Sequence, residues 1–290
     1  MYWFYLVTAL LLFVSLPFPV SAASAQFGLW QASGFQEWRT SFPLSSGSAP
    51  GASELYYPQS GTYLTGTYET ALKRRHFWRI DGGLLIRKTS GTGSDSDWDF
   101  NQGNSLWWYG QFKSSANSVF LNIDYVSHKS PAWETFWGYG YRSSRFTMTD
   151  GIYYIENYAA PSPYPDNLAG LNSTYQMVYH GPHAGLRYQM PVLPHLAMTS
   201  SLTYSPLAFV RGEGWWNLRQ MRFVHNGIGQ MLDASVGLAY NFSAQAGVSL
   251  GYRYQYSRLY HGWENTSDAI SWDKATNIQR GPYFIFKTSI

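Results

Sequence analysis

The chain has 290 residues, no cysteine, 13% charged residues and 19% aromatic residues. A net charge of +3 is too small for a protein that binds nucleic acid through a basic surface. The lack of cysteine excludes a disulfide scaffold, a Cys-ligated metal site and a thiol nucleophile. A mean hydropathy of −0.27 excludes a bundle of membrane helices.

The amino terminus has the pattern of a signal peptide. Residues 1–22 form an apolar run that Pro17 and Pro19 interrupt, and small residues in A-x-A-like order follow it. We expect a signal peptide over 1–23 and a mature chain over 24–290; the alternative is an uncleaved anchor.

The mature chain alternates between apolar and polar residues. In 244–257, Val248, Leu250 and Tyr252 share one face, and Arg253 belongs to the other. A period of two over this length predicts a β-strand. The same pattern predicts ten strands, near 27–39, 61–73, 76–89, 117–127, 135–149, 173–189, 195–205, 230–242, 244–258 and 278–290.

The predicted connections alternate between short and long. Short turns are expected after the second, fourth, sixth and eighth strands, and long loops at 40–60, 90–116, 150–172, 206–229 and 259–277. The strands of a soluble β-sandwich also alternate between apolar and polar residues. In a sandwich, however, the short and the long connections would not separate to opposite ends. We predict an all-β fold, a ten-stranded antiparallel transmembrane β-barrel of the bacterial outer membrane, with long extracellular loops and short periplasmic turns.

Two of the long loops contain candidate site residues. Asp95 and Asp97 are two residues apart, so in an extended backbone their carboxylates point to the same side and can share a proton or hold a water. A solvated loop or a weak calcium site would show the same spacing. Glu213 is the acid of the fourth loop, beside Trp215 and Trp216, which suit either loop packing or a ligand surface. The residues predict no metal site.

Several short motifs resemble the omptin family of outer-membrane proteases, and the resemblance extends along nearly the whole mature chain. The family's Asp-x-Asp-Trp is matched by Asp95-Ser96-Asp97-Trp98. The other matching motifs are Gly140–Phe146, Pro182–Leu186, Tyr204-Ser205 and Asn265–Asp268. No cofactor is implied.

The resemblance implies a catalytic arrangement of which half is missing here. In omptins an Asp-x-Asp pair faces an Asp-x-His pair across a cleft, and a water between them attacks the peptide carbonyl. Asp95 and Asp97 match the first pair. Ungapped counting from Tyr204 places the family's second pair on Gly214 and Trp216. Of the family's substrate-binding acids, Glu37 matches one, a single residue out of register.

The resemblance also implies contact with membrane lipid. Omptins require lipopolysaccharide, which outward basic and aromatic residues bind near the rim, and Tyr141 and Arg145 match two of those positions. The expected partners are therefore outer-membrane lipids, including lipopolysaccharide, and an extracellular peptide or host ligand. The alternative for Tyr141 is an ordinary residue of the aromatic girdle.

Three functions follow from these observations. The first is an omptin-like barrel with a degenerate catalytic site and a structural, adhesive or binding role at the cell surface. The second is a working endopeptidase that activates water with Asp95 and Asp97 and uses Glu213 or His225 as the base. The third is a small-solute channel, whose narrow lumen would be closed by pairing among Arg79, Asp81, Arg87, Asp233 and Arg253.

Overall fold

The computed structural model describes residues 23–44, 49–265 and 269–289. The predicted signal peptide therefore lies outside the described residues, apart from Ala23, and it stays a prediction. Residues 266–268 of the Asn265–Asp268 motif also lie outside them.

The described chain consists almost entirely of antiparallel strands. One short 3₁₀ helix, Phe100–Gln102, is the exception. The strands are β1 Ala23–Pro43, β2 Pro50–Lys73, β3 His76–Thr89, β4 Gly91–Asp99, β5 Ser105–His128, β6 Trp133–Glu156, β7 Asp166–Leu193, β8 Leu196–Trp216, β9 Met221–Asn241, β10 Ala246–Glu264 and β11 Ser271–Ser289.

The sheet closes on itself. Strand β1 pairs with β11 on one side and with β2 on the other, so every strand has two neighbours. Both β3 and β4 lie between β2 and β5, one after the other, with only Ser90 between them. The eleven strands therefore fill ten positions around a barrel, and the predicted fold class is confirmed.

A belt of apolar side chains faces outward around the barrel. Leu250, for example, is 63% exposed although it lies in the middle of a strand. Exposed apolar residues in a continuous band, on a closed sheet without free edges, are the arrangement that lipid requires. This belt indicates that the barrel lies in a membrane, in agreement with the predicted outer-membrane location. Other members of the belt are Phe27, Leu29, Leu64, Trp78, Ile123, Trp137, Leu202, Val236, Leu238, Phe284 and Phe286.

No helix within the described ranges is both long enough and apolar enough to cross a bilayer.

The connections at the two ends differ from the prediction in one respect. The short turns on the periplasmic side are confirmed, at 74–75, 129–132, 194–195 and 242–245. The predicted long loops are wrong for most of their length, because the strands continue through them and are interrupted only between 43 and 50, 99 and 105, 156 and 166, 216 and 221, and 264 and 271. The barrel therefore extends well beyond the apolar belt on the extracellular side, and the candidate site residues lie on strands.

A network of paired charges fills the middle of the lumen. Arg253 donates to both carboxylate oxygens of Asp233, at 3.0 and 2.7 Å, and to Asp81 at 3.1 Å. Arg142 lies 3.7 Å from Asp233 and donates to the backbone carbonyl of Leu232 at 3.0 Å. The inward placement and pairing predicted for Asp81, Asp233 and Arg253 are confirmed.

A second network fills the periplasmic end. Arg79 is buried between the carboxylates of Glu69 and Glu134, at 2.6 Å from each. The predicted lumenal position of Arg79 is confirmed, but that of Arg87 is wrong. The pairing of β2 with β3 shifts by one residue at Ile86, so Arg87 pairs with Thr62 and is exposed. A one-residue bulge moves every later side chain to the other face of the sheet.

Candidate functional site

Strand β4 places Asp95 and Asp97 on the inner wall of the extracellular half of the barrel. Their register partners on β2 are Leu55 and Ser53. Asp95 is only 3% exposed, and its Oδ1 atom has no hydrogen-bond partner within the described part of the chain. The two-residue spacing thus brings both carboxylates to one face of a strand, whereas the sequence analysis had placed them in a loop.

Burial changes the acidity of this pair. It raises the pKa of Asp95 well above its usual value, and the negative charge of Asp97 raises it further. Burial also raises the pKa of Asp97, to about 6, although the Ser53 hydroxyl and the positive charge of Arg219 act in the opposite direction. Two neighbouring carboxyl groups resist being ionised together, so the uncharged form of Asp95 is favoured while Asp97 is ionised.

Arg219, which no motif in the sequence singles out, is the cation that acts on both carboxylates. It lies in the turn 217–220 between β8 and β9, and its guanidinium lies 5.2 Å from the ring centroid of Trp216. The tip of this hairpin therefore brings one positive charge and one indole towards the carboxylates. No spacing in the sequence links Arg219 to β4, because the electrostatic interaction joins a hairpin and a strand that are far apart in the chain.

Glu213 does not belong to this arrangement. Val210, Gly212 and Gly214 are the buried, inward residues of β8, so the intervening Glu213 faces outward. It pairs with Arg211 at 2.6 Å, and both side chains are about half exposed. Trp215 also faces outward, with Arg222 at 5.6 Å from its ring. The structure thus separates Glu213 and Trp215 from Asp95 and Asp97.

Glu37 also faces away from the lumen. Its neighbours Gln36 and Trp38 are buried inside the barrel, and alternation directs Glu37 to the outer wall. There it pairs with Lys274 at 2.9 Å. Glu37 therefore lies on the face opposite to Gln36 and Trp38, because a difference of one residue reverses the face on which a side chain lies. Its role in substrate binding stays a prediction.

A histidine does lie inside the extracellular half, on the far wall. His225 of β9 is fully buried, with its Nε2 at 3.0 Å from Glu264 and its Nδ1 at 2.9 Å from the Tyr175 hydroxyl. A carboxylate can only accept, so Nε2 carries a proton, and Nδ1 is hydrogen-bonded to the Tyr175 hydroxyl. Both ring nitrogens are thus occupied, and the imidazole has no free lone pair for a water.

Stacked aromatic rings separate His225 from the carboxylate pair. The Tyr57 ring, on the same face as Asp95's partner Leu55, packs between Phe146 and Tyr175, at centroid distances of 4.7 and 6.0 Å. Tyr175 in turn stacks on Trp38 at 5.0 Å. We call this set the aromatic layer; its other members are Phe112, Phe223 and Trp272.

A glycine makes room for this layer. A Cβ atom at Gly212 would lie 2.1 Å from the Tyr175 hydroxyl oxygen and 3.3 Å from His225 Nδ1. Any larger residue there would displace the tyrosine that holds the imidazole. The Tyr175–His225–Glu264 chain is therefore built into the packing of the wall.

The other sequence candidates have clear positions. Tyr141 and Arg145 lie on the outer wall of β6, where Tyr141 packs near His180 at 6.5 Å and Arg145 is exposed. His180 faces outward and His183 faces the lumen, since residues three apart on a strand lie on opposite faces. At the periplasmic end, Glu69, His128 and Glu134 approach one another, but Arg79 already occupies both carboxylates.

No family model matches the sequence, and no curated protein matches it. Among solved structures, the fold is similar to that in the crystal structure of the outer membrane protease OmpT from Escherichia coli. The TM-score is 0.71 at 15% sequence identity, over 95% of this chain and 99% of that chain. The likeness shows that the two proteins share a barrel fold.

Two further barrels are more distant. The toluene transporter TodX of P. putida gives a TM-score of 0.33 at 8% identity, over 93% of this chain and 91% of that one. The translocator domain of the autotransporter NalP from Neisseria meningitidis gives 0.36 at 9% identity, over 96% and 93%.

Proposed function

We propose that this chain is an omptin-like outer-membrane barrel that does not hydrolyse peptides and that acts as a binding or structural protein at the cell surface. The proposal rests on the burial and the hydrogen bonds of His225. Its imidazole is fully buried and bonded at both nitrogens, and the aromatic layer separates it from Asp95 and Asp97. A general base must reach the proton that it removes, directly or through one water.

Direct binding would occur at the extracellular rim. The strands rise beyond the apolar belt there, so an extracellular peptide or a host surface molecule can reach them without entering the lumen. Trp216 and Arg219, at the tip of the β8–β9 hairpin, offer an indole and a positive charge to such a partner.

A working endopeptidase remains the second candidate, because the pKa of Asp97 is raised to about 6. A carboxyl group that titrates near neutrality is a common property of catalytic acids and bases. That property alone does not supply the second, imidazole-bearing half of an omptin site.

We expect no cleavage of peptides with two adjacent basic residues by the refolded protein, with or without lipopolysaccharide. The measurement is release of a fluorescent group from a quenched peptide, with Asp97→Asn as the matched variant. Cleavage by the wild type that Asp97→Asn abolishes would show that the endopeptidase candidate is right. Cleavage that persists in Asp97→Asn would indicate a contaminating protease.

The same assay can be applied to a rebuilt second pair, Gly214→Asp with Trp216→His. We expect this double variant to remain inactive, because a Cβ atom at position 214 would lie 2.0 Å from the Phe223 ring. Phe223→Ala must be added to give the new carboxylate space.

The third candidate function, a small-solute channel, is tested by measuring conductance. The paired charges of the middle lumen and the aromatic layer above them occupy the interior at two levels, so we expect no sugar uptake in liposome swelling and no stable conductance in planar bilayers. Stable conductance by the wild type would contradict a filled lumen. A variant with Tyr57→Ala and Tyr175→Ala is the comparison, since it removes the two central rings of the layer.

A further inference from the structure

The outer wall of the extracellular half carries a groove across β4, β5 and β6. Its volume is about 420 Å³, and we call it the polar groove. It faces away from the lumen, because Thr92 is three residues from the inward Asp95 and Gln111 lies between two buried residues of β5. The side chains that matter here come from Ser90, Thr92, Gln111, Lys113 and Asp150.

The groove lies in water, above the hydrocarbon of the bilayer. On the outward face of β5, Val119 is the last apolar residue of the belt, and the exposed, polar Asn117 follows it towards the extracellular end. Lys113 lies six residues beyond Val119. At about 3.3 Å per residue and a strand tilt of about 40°, this spacing raises the groove by about 15 Å. Molecules from outside the cell therefore have access to it.

The polar groups of the groove are open to a ligand. The side chains of Ser90 and Thr92 are exposed, and their hydroxyl groups have no hydrogen-bond partner among the residues that the structure describes. Lys113 Nζ lies 3.9 Å from Asp150 Oδ2, and these side chains are 60% and 73% exposed, so the pair is weak. The groove thus offers both donors and acceptors and carries no net charge.

Three tyrosines stand beside the groove, towards the extracellular tip of the barrel. The Gln111 amide links them to it, because its Nε2 donates to the Tyr109 hydroxyl at 2.9 Å and its Oε1 accepts from Tyr154 at 3.3 Å. The Tyr109 and Tyr154 rings lie 5.8 Å apart, and the Tyr164 ring lies 6.1 Å from that of Tyr154. Tyr164 is 62% exposed. We call these three rings the tyrosine wall.

We propose that the polar groove and the tyrosine wall together bind an uncharged oligosaccharide from outside the cell. A sugar ring has hydroxyl groups along its edge and C–H groups on its faces. Hydroxyl, ammonium and carboxylate groups of the groove match the edge, and the amphipathic tyrosine rings match the faces. Because Lys113 and Asp150 balance each other, the groove has no charge that would select an acidic or a basic sugar.

The size of the groove favours a saccharide over a protein partner. A cavity of about 420 Å³ is in the range of small-ligand sites, whereas a protein interface covers about 800 Å² of each partner. The site lies on β4, β5 and β6, apart from Trp216 and Arg219 on the β8–β9 hairpin. The inference therefore does not rest on the proposed function, and the peptide assay and the sugar assay fail independently.

The experiment measures retention of the full-length protein on an array of neutral, sialylated and sulfated oligosaccharides. The protein is refolded without lipopolysaccharide, in an amine-oxide detergent, because the sugar headgroup of a maltoside detergent would compete. We expect neutral oligosaccharides to be retained, and Tyr164→Ala to weaken their binding about tenfold. Thr92→Val, which removes one hydroxyl group and keeps the shape, should weaken it about fivefold.

The matched control is Tyr260→Ala, which removes a half-exposed outward tyrosine of β10, outside the groove, and should bind as the wild type does. Heat-modifiable migration confirms that each variant is folded. Retention of no neutral oligosaccharide by the wild type would overturn the proposal, as would equal binding by Tyr164→Ala and wild type. Stronger retention of sialylated or sulfated sugars would overturn the uncharged class. Retention only of oligosaccharides cut from lipopolysaccharide would overturn the assignment to a ligand from outside the cell.

Discussion

Asp233→Ala is expected to destabilise the barrel by about 3–5 kcal/mol, because it removes the shared partner of two buried arginines. Asp233 accepts three hydrogen bonds from Arg253 and one from Gln255, at 2.7 to 3.3 Å. Arg142 adds an ion contact at 3.7 Å. The side chains of Asp233 and Arg253 are 11% and 14% exposed, so water cannot replace the lost carboxylate easily.

The remaining partners would not compensate. Asp81 lies 3.1 Å from Arg253, but it also accepts from Thr67 at 2.9 Å and from Asn122 at 3.3 Å. One carboxylate would then face two guanidinium groups in a space of low polarity. An uncompensated buried charge costs far more than the net gain that the intact pair supplies.

The measurement is the free energy of unfolding in detergent, from urea titration followed by the change in electrophoretic mobility of the heated and unheated barrel. Glu213→Ala is the matched control, because it removes an acid from an exposed pair with Arg211, for which we expect about 0–1 kcal/mol. If both variants unfold at the same urea concentration, the lumenal network does not hold the barrel together.

The sequence predicts the membrane-spanning half well, for a physical reason. In lipid, apolar residues face outward and polar residues face inward, so Leu250 and Tyr252 alternate strictly with Gly251 and Arg253. The same rule predicted the inward position of Asp233, which the structure confirms.

Much of the extracellular half was missed because apolar and polar residues exchange faces there. Beyond the belt, water lies outside the barrel and the aromatic layer lies inside, so Tyr57, which lies in the predicted loop 40–60, faces inward as Trp38 and Tyr175 do. In such a strand the apolar residues move from the outward face to the inward face partway along. A single two-residue alternation therefore does not fit its whole length. Bulges add to this effect, as the shift at Ile86 that moves Arg87 outward shows.

The sequence could predict only those features of the site that depend on residues close together in the chain. The spacing of Asp95 and Asp97 was sufficient to predict that both side chains share a face. The faces of Glu37 and Glu213 depend on the register of whole strands, which a difference of one residue reverses. The pairing of His225 with Glu264 joins residues 39 positions apart, which no local pattern reveals.

Asp97→Asn is expected to stabilise the barrel at pH 7.5 and to leave it unchanged at pH 4. Burial raises the pKa of Asp97 to about 6 in the folded protein, and an unfolded chain has a carboxyl pKa of about 3.9. Between these values the folded state binds more protons than the unfolded state. The free energy of unfolding therefore falls as the pH rises from about 4 through about 6.

The asparagine side chain has the same shape and no charge, so it avoids the cost of ionising a half-buried carboxyl group. A shift of about two pKa units corresponds to an upper limit of about 3 kcal/mol, and partial contact with water reduces it. The measurement is the same urea titration at pH 4 and pH 7.5, with Asp150→Asn, whose side chain is 73% exposed, as the control. Loss of stability at pH 7.5 in Asp97→Asn would mean that attraction to Arg219 outweighs burial. The carboxylate pair would then be held ionised by the β8–β9 hairpin, which is the state that a water-activating site requires.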